Sequence, residues 1–190
     1  MRTRGLAVTL FAALVSGTTY QMARAAEAAV TPSADSVVAA AVKKAQTEKK
    51  TVLIEFGASW CTWCRKFEAF VKAPDTGPIV AANFIVVNLT VKEEGDKKAL
   101  ENPGGDKLMA SWGGEKAGLP FYVFLDGKGQ KIADSNAMPG GKNIGFPAVP
   151  EEIASFMSLI DKTAPRLSPA DRSVLEASLK KTAKPGTSPH

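Results

Sequence analysis

The only two cysteines of the chain, Cys61 and Cys64, are separated by two residues. A Cys-x-x-Cys pair can close a small disulfide ring, so it can exchange electrons with another disulfide or dithiol. If a helix begins at this motif, its unpaired N–H groups and its dipole stabilise a thiolate on the first cysteine. The thiolate is the form that attacks disulfides. The spacing therefore predicts a redox-active dithiol.

Two structural explanations of the cysteine pair stand beside the redox one. A structural disulfide between cysteines this close closes too short a loop to stabilise the chain much. A zinc site needs four ligands, and the single histidine, His190, stands in the C-terminal tail. The residues therefore favour a redox dithiol that uses no metal and no cofactor.

The residues on either side of the motif predict the elements that would position it. Residues 51–56 are mostly β-branched or apolar, as in a buried strand. Apolar residues then recur on one face of a helix that begins at the cysteines and is ended or kinked by Pro74. Residues 84–89 are typical of a second strand. This order predicts a strand–helix–strand unit with a right-handed crossover.

Further elements are predicted outside this unit from capping signals and apolar periodicity. They are a first helix of about four turns with Thr31 as its N-cap, a short helix at 106–112, a strand at 121–125, its antiparallel partner at 130–133, and two helices at 151–161 and 168–181.

Two segments of this predicted domain resemble a known family. Phe56-Gly-Ala-Ser-Trp-Cys-Thr-Trp-Cys-Arg-Lys-Phe-Glu68 and Gly118-Leu-Pro-Phe-Tyr-Val-Phe-Leu-Asp-Gly127 resemble the exported thioredoxin-like thiol-disulfide oxidoreductases. The resemblance covers residues 51–162 and implies an α/β thioredoxin fold, with a central mixed β-sheet flanked by helices. In this chain an N-terminal helix and a C-terminal helical extension are added.

The resemblance assigns chemical roles to three residues. Cys61 is expected to be the attacking thiolate, exposed at the start of the helix, and Cys64 the buried resolving thiol. Glu55 takes the position of a buried acid that relays protons to the second cysteine. A carboxylate buried alone is costly, so a polar residue within this apolar strand needs a reason. The alternative is that Glu55 reaches the edge of the sheet or pairs with a lysine such as Lys66.

Four residues form the predicted substrate site. Pro120 resembles the family's cis-proline, and Leu119 before it would offer its backbone to an extended substrate; an ordinary trans proline at a strand start is the alternative. Trp60 matches the family's tryptophan, which core packing explains nearly as well as substrate binding. Trp63, between the cysteines, is expected at the surface as an apolar contact for substrate.

The N-terminus predicts export. Residues 1–25 combine two arginines, an apolar stretch and Ala23-Arg24-Ala25, which is typical of a signal peptide. An uncleaved membrane anchor is the alternative, although the apolar run falls short of the ~20 residues that a spanning helix needs. Cleavage would remove three arginines and no acid, so the formal net charge of +5 would fall to +2. That weak charge gives no argument for binding nucleic acid.

These observations predict a periplasmic or secreted protein with four segments. They are the signal peptide at 1–25, an N-terminal helical extension at 26–50, a thioredoxin-like domain at 51–163, and a C-terminal helix with a disordered tail at 164–190.

The predicted function is thiol-disulfide exchange on exported proteins, with a lean towards reduction. A metal or cofactor chaperone that uses the cysteine pair and a thiol peroxidase are the alternatives. The expected partners are disulfide-containing or dithiol proteins and a membrane electron donor or acceptor, and the protein is expected to be a monomer. Residues 92–118 and 138–147 are predicted loops that would carry partner specificity.

Overall fold

The computed structural model describes residues 31–182. The predicted signal peptide at 1–25 and the predicted tail at 184–190 lie outside these residues. Within the described range, no helix is both long and apolar enough to cross a membrane.

The described part of the chain contains six α-helices and four β-strands. The helices are α1 (Ala34–Glu48), α2 (Thr62–Lys72), α3 (Gly77–Asn83), α4 (Gly105–Ser111), α5 (Pro150–Thr163) and α6 (Pro169–Thr182), with 3₁₀ turns at Gly95–Leu100 and Pro139–Gly141. The strands are β1 (Thr51–Gly57), β2 (Phe84–Thr90), β3 (Phe121–Leu125) and β4 (Lys131–Asp134).

The four strands form one mixed sheet in the order β2-β1-β3-β4. Strand β1 is parallel to β2 and antiparallel to β3, and β4 is antiparallel to β3. Because β1 and β3 are covered on both faces, they are buried along nearly their whole length. This confirms the predicted mixed sheet flanked by helices.

The alternation of side chains along β1 separates two apolar clusters. Leu53 belongs to the cluster that contains side chains of α2, α5 and α6. Val52 and Ile54 belong to the cluster that contains side chains of α1. Glu55 has the same parity as Leu53, so its side chain lies on the face that α2 covers.

Several element boundaries differ from the sequence predictions for local reasons. The N-cap of α1 is Ser33, whose hydroxyl accepts the N–H of Ser36 at 3.2 Å, whereas the predicted cap Thr31 donates to the carbonyl of Ala99. Helix α3 was not predicted, because its first residues Gly77 and Pro78 are also typical of a turn. Strand β4 lies one residue later than predicted.

Candidate active site

The cysteine motif lies at the junction between the end of β1 and the start of α2. Cys61 is the N-cap of α2, and it forms a disulfide with Cys64 across a Cα–Cα distance of 5.3 Å. The N–H of Cys64 donates to the Sγ of Cys61 at 3.0 Å. The first cysteine therefore lies at a helix N-terminus, as the sequence predicts, where the helix dipole favours negative charge.

The expected exposure of Cys61 is wrong for this disulfide form, because the residue is only 3% exposed. It is buried together with Ala58 and Cys64, and Trp63 and Leu119 pack against the three. The two cysteines therefore pack against two residues of the predicted substrate site.

Glu55 is buried beneath α2, with 2% of its surface exposed. Its Oε2 accepts the side-chain amide of Asn88 at 3.0 Å, and within the described residues its buried Oε1 has no hydrogen-bond partner. Burial raises the pKa of Glu55 to about 8; the charge of Glu68 adds to the rise and Lys72 opposes it. Neither alternative for Glu55 holds, because it does not reach the sheet edge and Lys66 instead lies 4.0 Å above the Trp63 ring.

Gly57 keeps the space between Glu55 and Cys64 open. A Cβ on Gly57 would lie 3.3 Å from the Sγ of Cys64 and 3.6 Å from the Oε1 of Glu55. A cavity of about 450 Å³ is lined by all three residues and by Asn88. Polar atoms of Glu55 and Asn88 contribute to its lining, and it is large enough for water that could connect the carboxyl group with the sulfur.

The Leu119–Pro120 peptide bond is cis. Within the described residues, neither the N–H nor the carbonyl of Leu119 has a hydrogen-bond partner. The carbonyls of Gly118 and Pro120, by contrast, both accept the side-chain amide of Asn143, at 2.8 and 3.0 Å. An unpaired backbone segment beside a dithiol can pair with an extended peptide.

The two tryptophans differ from the sequence expectation. Trp60 is the more exposed, at 51%, and its indole N–H donates to the carbonyl of Lys92 at 2.8 Å. Trp63 is only partly exposed, because its ring stacks on Phe146 with centroids 6.0 Å apart. An aromatic side chain needs a packing partner as much as exposure, and the loop containing Phe146 supplies one.

A segment that the sequence did not connect with the site holds the loop before Cys61. We call residues 92–101 the strap. The carboxylate of Glu93 accepts the backbone N–H of Ser59 at 2.5 Å and its hydroxyl at 2.8 Å. Arg65 donates to the carbonyl of Ser59 at 2.8 Å, so it braces the same loop. The strap and α2 therefore fix the path of the chain into the motif.

Sequence reasoning missed Asn88, Glu93, Asn143 and Phe146. Asn88 carried a usable signal, since it is a polar residue within an apolar strand and stands opposite Glu55 in the sheet register. Glu93 and Asn143 lie in polar stretches without periodicity, which gave no sign of their burial. Among the described residues, no group of three or more His, Cys, Asp or Glu side chains could hold a metal ion.

The sequence is similar to a known protein family and to one curated protein. A family model described as thioredoxin-like matches residues 33–127. A thiol:disulfide interchange protein DsbD from Photorhabdus laumondii is 32% identical over 92 residues, which are 47% of this chain and 14% of that protein. This chain therefore matches only a small part of that relative.

Two solved structures are also similar. A disulphide isomerase from Xylella fastidiosa Temecula1 is 19% identical, with a TM-score of 0.47 and coverage of 78% of this chain and 89% of that one. A DsbH oxidoreductase is 21% identical, with a TM-score of 0.45 and coverage of 80% of this chain and 96% of that one.

Proposed function

The chain belongs to the thioredoxin-like family of thiol-disulfide oxidoreductases, and on that premise we propose that it reduces disulfides of exported proteins through Cys61 and Cys64. The observation that carries the proposal is the placement of this disulfide at the N-terminus of α2, with the buried acid Glu55 across an open gap from Cys64.

The reaction consists of two exchanges. In the reduced protein, the thiolate of Cys61 attacks one sulfur of a substrate disulfide, and the other substrate sulfur leaves as a thiolate. Cys64 then loses its proton and attacks the Cys61 sulfur of the mixed disulfide. The second substrate thiolate leaves, the Cys61–Cys64 disulfide closes, and the substrate has gained two electrons.

Glu55 is the base for the second exchange. With a pKa raised to about 8, its carboxyl group carries a proton at neutral pH more often than not, yet its ionised form is readily accessible. The ionised form takes the proton of Cys64 through the gap beside Gly57. A base placed at the resolving thiol speeds the release of reduced substrate, which is the step that a reductase needs.

The substrate contacts follow from the unpaired backbone and the aromatic side chains. Leu119, next to Pro120, pairs through its backbone with an extended segment beside the substrate disulfide. Trp60 offers an exposed apolar face on one side of Cys61. Trp63 packs against the buried cysteines and, because it is partly exposed, adds a second apolar contact.

The cellular setting completes the proposal. The signal-peptide pattern at 1–25 supports export to the periplasm, where disulfides persist. A reductase in such a compartment needs a supply of electrons, for which a membrane electron donor is the proposed partner. The protein acts as a monomer.

Trapping of mixed disulfides tests the assignment of the two cysteines. Cys64→Ser keeps the attacking thiol but cannot resolve, so it should accumulate a mixed disulfide with a disulfide-containing protein. Cys61→Ser should accumulate none, and limiting iodoacetamide should label Cys61 first in the reduced protein. The measurement is mass spectrometry under non-reducing conditions. Trapping by Cys61→Ser alone would reverse the two roles, and trapping by neither variant would contradict the exchange mechanism.

A further inference from the structure

Asn143 lies in a predicted recognition loop that the mechanism above does not use. Its side chain is 7% exposed, and its two amide hydrogens are donated to the carbonyls of Gly118 and Pro120 at 2.8 and 3.0 Å. One side chain therefore takes up the carbonyl before Leu119 and the carbonyl after it.

The orientation of this amide is set by its partners. With the amide reversed, the Asn143 oxygen would face two carbonyl oxygens, which repel it. In the observed orientation the buried Oδ1 has no partner among the described residues. An unpaired buried acceptor costs free energy, so Asn143 is not an optimal choice for stability alone.

Asn143 leaves a defined piece of backbone available. Because the carbonyls of Gly118 and Pro120 are occupied, Leu119 is the residue of this tripeptide whose N–H and carbonyl are free within the described structure. A substrate strand can therefore exchange both backbone hydrogen bonds with Leu119 alone in this tripeptide, which fixes its register against the dithiol.

The same short segment also contacts the cysteine motif. The N–H of Ile144 donates to the carbonyl of Ser135 at 2.7 Å, which anchors the segment to the end of β4. Phe146 stacks on Trp63 with an angle of 21° between the rings. Residues 143–146 therefore connect the Leu119 backbone with the helix that begins at the cysteine motif.

We infer that Asn143 is a positioning residue that presents the Leu119 backbone to extended peptides, so that the protein prefers peptide disulfides to small disulfides without a peptide backbone. The inference rests on the proposed exchange reaction and adds a selectivity that the dithiol alone does not provide. A pre-positioned backbone loses less conformational entropy when it pairs.

The test compares two substrates in single turnovers of the reduced protein. One is a disulfide between two short extended peptides, and the other is bis(2-hydroxyethyl) disulfide, which has no peptide bond. Asn143→Leu should lower the second-order rate constant for the peptide disulfide by about tenfold or more, as expected for two badly placed hydrogen bonds. It should leave the rate with the small disulfide nearly unchanged.

A matched control and a second variant keep the outcome decisive. Asn83→Leu removes another amide-to-carbonyl bond, from Asn83 to Ile79 at 2.9 Å, and should change neither rate. If Asn143→Leu does not fold, Asn143→Ser decides, because serine is smaller and too short to reach both carbonyls. The inference would be overturned if the variant lost the same factor in rate with both substrates, or if its rate with the peptide disulfide did not fall. If the unaltered protein reduces neither substrate, the proposed function itself fails.

Discussion

Glu55 carries two opposing requirements in one side chain. Its burial opposes ionisation, and ionisation is what lets it accept the proton of Cys64. Asn88 satisfies one carboxylate oxygen and leaves the other next to the gap at Gly57. A lysine at position 88 would instead favour the ionised form. Because the amide of Asn88 is neutral, the pKa of Glu55 stays high. The carboxyl group can therefore both accept and donate a proton near neutral pH.

Replacing Glu55 should slow resolution of the mixed disulfide. Glu55→Gln keeps the size of the side chain but cannot accept a proton, so the resolving step should be about tenfold or more slower near neutral pH. In the unaltered protein the rate should rise with pH and level off above the Glu55 pKa of about 8. Stopped-flow tryptophan fluorescence measures this step, because Trp60 and Trp63 flank Cys61.

Glu68→Gln is the control for this prediction. The charge of Glu68 raises the pKa of Glu55. Removing that charge should leave the proton relay intact and move the inflection of the pH–rate profile to lower pH. An unchanged rate and pH profile in Glu55→Gln would mean that Glu55 has a structural role only.

Among the elements, β1 and α2 were predictable and the strap was not. A run of apolar and β-branched residues and an apolar helical face are periodic signals, and they predicted the strand, the helix and the cysteines at their junction. Glu93 is buried, and its carboxylate accepts two hydrogen bonds from Ser59. Such a contact depends on the fold, and a glutamate in a polar stretch gives no hint of it.

Loss of the Glu93 carboxylate should loosen the loop before Cys61. Glu93→Ala leaves the Ser59 N–H without its acceptor, so the free energy of unfolding should fall by about 1–3 kcal/mol. The Ser59 amide should exchange faster in hydrogen–deuterium exchange.

The neighbouring substitution Glu94→Ala is the matched control, because Glu94 lies in the same strap but is exposed. It should change neither stability nor exchange. Equal protection of Ser59 in both variants would show that the strap does not hold the loop.

At the scale of the whole molecule, the mixed sheet and its flanking helices followed from the sequence together with the family resemblance. The order of strands and helices predicted the parallel pair, and the turn at Asp126 and Gly127 predicted the antiparallel partner. The loop containing Asn143 and Phe146 was predicted as a recognition region, but its contacts with both halves of the site were not. Contacts between distant loops have no periodic signal in the sequence.

The buried acid also makes the stability of the entire fold depend on pH. The Glu55 pKa is about 8 in the folded protein against an ordinary value of 4.5. Below the lower value both states hold the proton, so this group contributes no penalty. Between the two values the unfolded chain releases the proton and the folded chain keeps it, so the free energy of unfolding falls as pH rises, by up to about 1.4 kcal/mol per pH unit. Above the higher value the full loss remains.

Urea unfolding of the disulfide form measures this dependence, because neither cysteine titrates there. Glu55→Gln should be about as stable as the unaltered protein at acidic pH and more stable at alkaline pH, since its side chain has no proton to lose. The two proteins differ only at position 55, so the difference between their unfolding free energies isolates the effect of the Glu55 charge. Parallel curves from about pH 5 to pH 9 would contradict the raised pKa, and with it the reason for placing the proton relay at this residue.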